Sequence, residues 1–244
     1  MRIDSAGHAV FASTLIALGV SSLVQGDFAA IWQPMPKALP AREALVLLSA
    51  LVLLATGIGL VWSRTAALAA QILLAWLLLW LFLVKGRVVL LAPTVAVSWE
   101  SAGETAVLVA GAGALYARFA ANEIAMRLAR AVYGLALIAF GVAHLAYVQE
   151  TASLVPGWLP SPVAWVYFTG GTYVAGGLAV LAGLFAWLAV TLSAVQIGLF
   201  TLLVWLPPLA AGSKDAGVWS EAVISWALTA AAWVVAESYR GRRA

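Results

Sequence analysis

Cysteine is absent from the 244 residues, which excludes thiol nucleophiles, disulfides, cysteine-ligated iron-sulfur centres and zinc knuckles. Charge is scarce too: 9% of positions are Asp, Glu, Lys or Arg, against roughly 25% in an ordinary soluble domain. A water-soluble globular protein is thereby excluded. The 13 Lys and Arg outnumber the 10 Asp and Glu by a margin too small and too dispersed for a nucleic-acid binder. Only two histidines and three methionines are present, a thin supply of haem ligands. What fills the chain is hydrophobic side chains, 64% of it. A membrane-spanning helix takes about 20 mostly apolar residues, so this share is close to what about eight spans would use.

Eight apolar stretches can be marked, near 8–24, 43–62, 65–84, 99–118, 127–147, 163–182, 184–206 and 218–238. They run too long for strands, lack the alternation of a barrel strand and are rich in Leu and Ala. In lipid every backbone amide must be paired internally, which leaves helix. An all-α polytopic membrane protein is therefore expected. With the N-terminus inside, the cytoplasmic segments carry Arg2, Arg64, Arg118, Arg127, Arg130, Arg240, Arg242 and Arg243, and the outer segments Lys37, Arg42, Lys85, Arg87 and Lys214. That asymmetry favours both termini in the cytoplasm. The first stretch lacks a strongly basic start and has a counterpart later in the chain, so it reads as a span and not as a cleavable signal peptide.

The counterpart belongs to an internal duplication. Ala9-Val10-Phe11 and Leu15-Ile16-Ala17-Leu18-Gly19-Val20 recur as Ala131-Val132-Tyr133 and Leu137-Ile138-Ala139-Phe140-Gly141-Val142, 122 positions on. Pro36-Lys37-Ala38-Leu39-Pro40 matches Pro156-Gly157-Trp158-Leu159-Pro160, Gln71-Ile72 is matched to Gln196-Ile197, and Trp99 and Trp219 open the last helix of each unit. Two repeats, 1–122 and 123–244, follow. Four spans return the chain to its starting side, so the expected arrangement is two parallel four-helix repeats related by an axis near the membrane normal.

Lipid gives helices no hydrophobic reason to associate, so small residues are the expected seams. Gly171, Ala175, Ala179 and Gly183 form one such stripe and Ala102, Ala106, Ala110 and Ala114 another. The nine prolines fall in loops or at span ends, leaving no obvious broken helix of the sort transporters use for ions. The two Pro-x-x-Leu-Pro segments read either as stiff turns or as short lids over the outer mouth.

Ionisable residues sort by depth. Asp27, Glu100, Glu104, His144, Glu150 and Glu221 all fall at outer helix ends, with Ser21, Ser22 and Gln25 at the same level. They either converge on one outward-facing pocket or simply sit where charge costs least. His144 lies within its helix with Tyr147 on the same face, and its first-repeat counterpart is Ser22. It is either a proton-passing group or a structural histidine bonded to a neighbouring helix. Haem is disfavoured because His8 and His144 lie at opposite faces and Met1, Met35 and Met126 offer no axial partner. Gln71 and Gln196 read as polar glue between helices or as a pair near the bundle axis. Trp32, Trp99, Trp158, Trp165 and Trp219 suit the outer interface, while Trp76, Trp80 and Trp205 lie deeper, as packing or as walls for a flat apolar ligand.

Gly141-Val142-Ala143-His144 at a helix end, then Val155-Pro156-Gly157-Trp158-Leu159-Pro160, then Thr169-Gly170-Gly171 leading to Gly176-Gly177-Leu178, resemble the DoxX-like family of small four-helix membrane proteins. The likeness covers mainly residues 130–206 and, through the duplication, more faintly 8–84. With its DoxD relatives, that family is associated with thiosulfate:quinone oxidoreductase subunits and membrane redox complexes. The resemblance thus implies a quinone-linked subunit in a bacterial-type inner membrane, holding a lipophilic, quinone-like molecule near the outer leaflet. On this reading His144 is the proton donor or hydrogen-bond partner, Glu150 and Glu100 a relay, Tyr147, Tyr173, Gln71 and Gln196 ligand neighbours, and Trp80 with Trp205 the walls. One departure stands out: where family members often carry an acid before the Gly-Gly pair, this chain has Tyr173, and Leu53 in the first copy. No covalent cofactor is implied and no flavin, haem or metal motif is present, so electrons would come from another redox subunit or from the substrate. Two readings of other classes stand beside it, a non-catalytic scaffold or assembly subunit and a small-molecule transporter.

Overall fold

Leu- and Ala-rich runs of this length pair their own backbone groups only as helices when water is absent. In the computed structural model, which describes residues 5–29 and 35–240, the chain is helical with no strand among the described residues. The long helices are α1 (Ala6–Gln25), α2 (Arg42–Val61), α3 (Ala66–Leu91), α4 (Ala96–Phe119), α5 (Glu123–Ala146), α6 (Pro162–Ala182), α7 (Ala186–Ala210) and α8 (Ala216–Glu237). A short helix, Val148–Ser153, follows α5. Met1, Arg2, Trp32, Arg242 and Arg243, which enter the charge count, the aromatic belt or the haem argument, lie outside the described residues.

Seven of these helices, all but α4, are long and apolar enough to cross a membrane. That is the build of an integral membrane protein, and large apolar side chains such as Leu47, Leu68, Phe82 and Leu192 cover its outside, where lipid would lie. The exception has a reason. Helix α4 carries Glu100, Ser101, Glu104 and Thr105 in its first half, yet it sits at the centre against α3, α5 and α8, with Val107 to Leu115 buried. A helix shielded from lipid by its neighbours tolerates polar groups that a lipid-facing one does not.

The N-terminus of α1 meets the C-termini of α2, α4 and α8. The Gly7 amide donates to Glu237 Oε1 at 3.1 Å, His8 Nε2 donates to the Leu60 carbonyl at 2.9 Å, and the His8 ring meets Phe119 edge-on at 5.7 Å. The long helices therefore alternate in direction, and His8 and His144 lie at opposite ends of the bundle.

Glycines set the closest crossings. A Cβ on Gly19 would come within 2.7 Å of the Leu54 amide, and one on Gly57 within 2.9 Å of the Ala12 carbonyl. Between α5 and α6 the same contacts recur. A Cβ on Gly141 would lie 2.6 Å from the Gly170 carbonyl, and one on Gly177 2.5 Å from the Gly134 carbonyl. At α4 and α8, Gly111 faces Ala231, 2.9 Å from the position of a Cβ. Such approaches replace the missing hydrophobic drive with dispersion and backbone contact. They also correct the expected seam in α6. The packed face carries Gly170, Tyr173, Gly177 and Val180, whereas Gly171 and Ala175 are exposed.

Other local geometries recur 120 positions apart. Leu39 donates to the Pro36 carbonyl and Leu159 to the Pro156 carbonyl. Ala41 and Ser161, ahead of α2 and α6, both take left-handed backbone, φ 53° and 54°. The indoles of Trp99 and Trp219 donate six residues back, to Pro93 and Ser213. Helices α3 and α7 both widen into a π turn, at Leu81–Lys85 and Thr201–Trp205. Those π turns are irregularities that composition did not announce, and Pro207 and Pro208 continue α7 instead of ending it. The shared bounds place Trp76 opposite Gln196. The match of Gln71 with Gln196, 125 positions apart, is off the register that the helix ends keep.

Beyond α1, Asp27 pairs with Arg42, whose guanidinium also lies over the Phe28 ring at 5.4 Å. Partial burial works against the Asp27 charge, but the Arg42 bond, the Phe28 amide and the Arg42 charge together hold its carboxyl below the usual value. A depressed folded-state pKa stabilises above the unfolded value and ceases to as pH falls through the folded one. Asp27→Asn is therefore expected to lower thermal stability slightly at pH 7, by under about 1 kcal/mol for so exposed a pair. The difference should shrink as pH falls below the ordinary carboxylate range and vanish once the folded-state carboxyl is protonated; a difference that does not depend on pH would rule out the ion pair as its source.

Candidate functional site

Small residues on α6, Ala175, Gly176 and Ala179, and Leu188, Leu192 and Val195 on α7 line one hollow. It is a cavity of about 1410 Å³, reaching inward to α4, α5 and α8, above the range of roughly 300–1,000 Å³ for ordinary small-molecule pockets. Its walls are mostly apolar. Phe168, Leu192 and Val195 line it and are each more than half exposed, so it opens on the flank that would face lipid. Pro156, Trp158 and Leu159 cover one end, making the second Pro-x-x-Leu-Pro segment at once a turn and part of the wall.

At the inner end is a ring cluster. His144, on the last turn of α5, meets Tyr173 edge-on at 5.4 Å and Phe200 at 5.7 Å, while Tyr173 and Phe200 stack at 6.4 Å. His144 Nδ1 lies 2.9 Å from the Phe140 carbonyl. A carbonyl can only accept, so Nδ1 carries the proton and Nε2, which no described residue bonds, keeps its lone pair for a ligand. Tyr173 is 3% exposed and its hydroxyl lies by Gln196. Gln196 is committed to structure: its Nε2 donates to the Thr169 carbonyl at 3.1 Å and its Oε1 accepts from Thr172 at 2.7 Å, tying α7 to α6.

Four glutamates line the same space, Glu100 and Glu104 one turn apart on α4, Glu221 on α8 and Glu150 on the exposed short helix at the rim. Glu100 and Glu104 are within electrostatic reach of Glu221. Behind them is Lys85 in the π turn of α3, 2% exposed, donating to Ser101 Oγ at 2.6 Å and within reach of Glu104.

Of the residues singled out from sequence, His144, Glu100, Glu150, Tyr173, Tyr147, Gln196 and Trp205 lie on this cavity; Gln71 and Trp80 do not. Gln71 is exposed on the outer face of α3 beside Leu68 and Ile72. Trp80 is buried in the first half, edge-on to Phe28 at 5.7 Å and Trp76 at 6.1 Å. In the shared register Trp76 and Trp80 stand where the second half has Gln196 and Phe200, so indoles take up the inner end there, and a smaller cavity of about 340 Å³ remains between α2 and α3, lined by Ala55, Thr56, Gly59 and Leu68. Asp27 is also elsewhere, with Arg42, and Gln25 bonds Ser21. Glu104, Glu221, Phe140, Phe200 and Lys85 were not singled out as site residues. The pair Glu100 and Glu104, four apart on one helix face, was the signal available for two acids sharing a wall.

No protein-family model, curated protein or solved structure matches this chain.

Proposed function

We propose that this chain is an integral protein of the inner membrane, with both termini in the cytoplasm, that holds a lipophilic molecule near the outer leaflet. The cavity between α6 and α7 is the binding site. In this reading the chain is two like-facing four-helix repeats, residues 1–122 and 123–244, of the DoxX-like type it resembles. The recurring glycine crossings, π turns and tryptophan bonds support the duplication. One copy has the large cavity; the other has a smaller one, about 340 Å³, at the matching place between α2 and α3, with Trp76 and Trp80 where the second copy has Gln196 and Phe200.

The observation that carries the reading is the cavity's combination of apolar walls, a flank open toward lipid and a cluster of His144, Tyr173 and acidic groups at its inner end. Ligand sites couple an apolar lining to a few oriented polar groups in this way. The family likeness makes a quinone ring the first head group to try, with this chain as the quinone-holding subunit of an oxidoreductase complex and the electrons supplied by another subunit. In such a site His144 Nε2 would hold or release the proton at the head group, and Tyr173 would fix the imidazole by ring contact.

The absence of cysteine makes the test clean. Ala179→Cys places a single thiol on the cavity wall, to be labelled by a small maleimide in detergent. A decyl-tailed benzoquinone is expected to slow that labelling saturably, and for its quinol, whose hydroxyl can donate to the Nε2 lone pair, His144→Ala is expected to raise the protecting concentration about tenfold, the loss of one good hydrogen bond. Labelling that the quinone leaves unchanged would remove quinone as the ligand. A scaffold subunit without a ligand predicts no protection by any lipophile.

A further inference from the structure

The titratable groups on the cavity wall are one-sided. Glu100, Glu104, Glu150 and Glu221 line it, and among the described residues no Lys or Arg does. Lys85 is in electrostatic reach of Glu104, and it reaches that acid from behind the wall, with its ammonium bonded to Ser101. Acids so placed, with low-dielectric walls around them, keep protons against one another's charge and give a proton up where a positive charge enters.

The rest of the lining fits the same partner. The Trp158 and Trp165 indoles on the wall are aromatic groups of the kind that attract a cation, while Tyr173 and Phe200 at the inner end stack on each other. His144 Nε2 adds an acceptor where an N–H would arrive. Gln196, which has both donor and acceptor groups, is already bonded to Thr169 and Thr172. The wall from Ala175 and Ala179 across to Leu188 and Leu192 is apolar and suits a hydrocarbon body.

Resting on the reading of the cavity as a lipophile site, we infer that its ligand is an amphiphilic organic cation. A single ammonium-type charge sits among Glu100, Glu104 and Glu221, with the apolar body lying between α6 and α7. A quinone has no such charge. The inference thus departs from the head group that the family likeness implies, while keeping the same site and the same entry from lipid.

Tetraphenylphosphonium and tetraphenylborate have nearly the same shape and opposite charge, and both are lipophilic. Each is titrated against the full-length protein in lipid nanodiscs, with empty nanodiscs subtracted, beside the decyl-tailed benzoquinone as a neutral lipophile. Tetraphenylphosphonium is expected to bind saturably and tetraphenylborate not to. The combined variant Glu100→Gln, Glu104→Gln and Glu221→Gln should weaken the cation by about tenfold or more without changing the benzoquinone. Amides keep the shape of the acids, but Glu104→Gln also takes its attraction from buried Lys85, so the variant's helical content is measured first, and the comparison of the two ions on the wild-type chain needs no variant. Benzoquinone binding with the two ions indistinguishable, or cation binding indifferent to the three substitutions, would overturn the charge assignment and leave the lipophile site standing. If all three probes fail to bind saturably, the lipophile site falls and the charge assignment with it.

Discussion

Gly177→Ala should destabilise the folded chain by about 3 kcal/mol, the upper end of what overpacking a close-fitting contact costs. The added Cβ would stand 2.5 Å from the Gly134 carbonyl and 2.7 Å from Ile138 Cγ1. Backbone cannot swing aside as a flexible side chain can, so α5 and α6 must separate. Alanine brings about 1 kcal/mol of helix propensity over glycine, which is too little to offset the clash. Gly141→Ala is expected to behave likewise, since its Cβ would meet the Gly170 carbonyl at 2.6 Å. Gly171→Ala, one residue from that contact, has nothing within 4 Å. It should be neutral or stabilising by up to about 1 kcal/mol through propensity alone. Unfolding of the three variants in mixed micelles checks the ordering, and a Gly171→Ala loss equal to that of Gly177→Ala would refute the crossing.

The second large effect is on binding. The first half has Trp76 and Trp80 where the second has Gln196 and Phe200, so the double variant Gln196→Trp and Phe200→Trp should recreate the plug. Losing Gln196 removes its bonds to Thr169 and Thr172 and the polar neighbour of the Tyr173 hydroxyl, so the melting temperature is expected to fall while the two indoles crowd the inner end of the cavity. Affinity for a lipophile seated at that end should fall by at least about a hundredfold, roughly 2.7 kcal/mol, with helical content close to wild type. Unchanged affinity in a folded double variant would place the ligand elsewhere.

The all-helical build was legible because lipid permits little else for apolar runs of this length, although seven of the eight marked stretches, not all, form helices apolar enough to span. The Pro-x-x-Leu-Pro and Trp99 and Trp219 landmarks carry into recurring bonds, since each sits where a turn or an indole hydrogen bond fixes one geometry. The faces of the helices were much less legible. In water an apolar stripe marks the buried side, but in a membrane both the packed side and the lipid side are apolar, so Leu68 and Leu73 on α3 look alike in sequence though one is exposed and the other buried. That ambiguity placed the α6 seam on Gly171 and Ala175 instead of Gly170 and Gly177. It also paired Gln71 with Gln196, where the π turns and helix ends put Trp76.

The acids at the outer ends illustrate the same limit from the other side. Asp27, Glu100, Glu104, His144, Glu150 and Glu221 share a depth, but depth alone does not say which neighbours they face. Asp27 turns to Arg42, and the remaining five line one cavity because α4 and α8 cross at Gly111 and Ala231 and carry their N-terminal turns toward α5. Trp80 followed from size and depth as a ligand wall, but it lines neither cavity and packs against Phe28 and Trp76.

The most direct measurement is native mass spectrometry of the chain released from lipid nanodiscs, wild type beside the double tryptophan variant. A lipophile in the cavity predicts one non-phospholipid adduct per wild-type chain and none on the variant. A bare wild-type chain, or the same adduct on both, would contradict it.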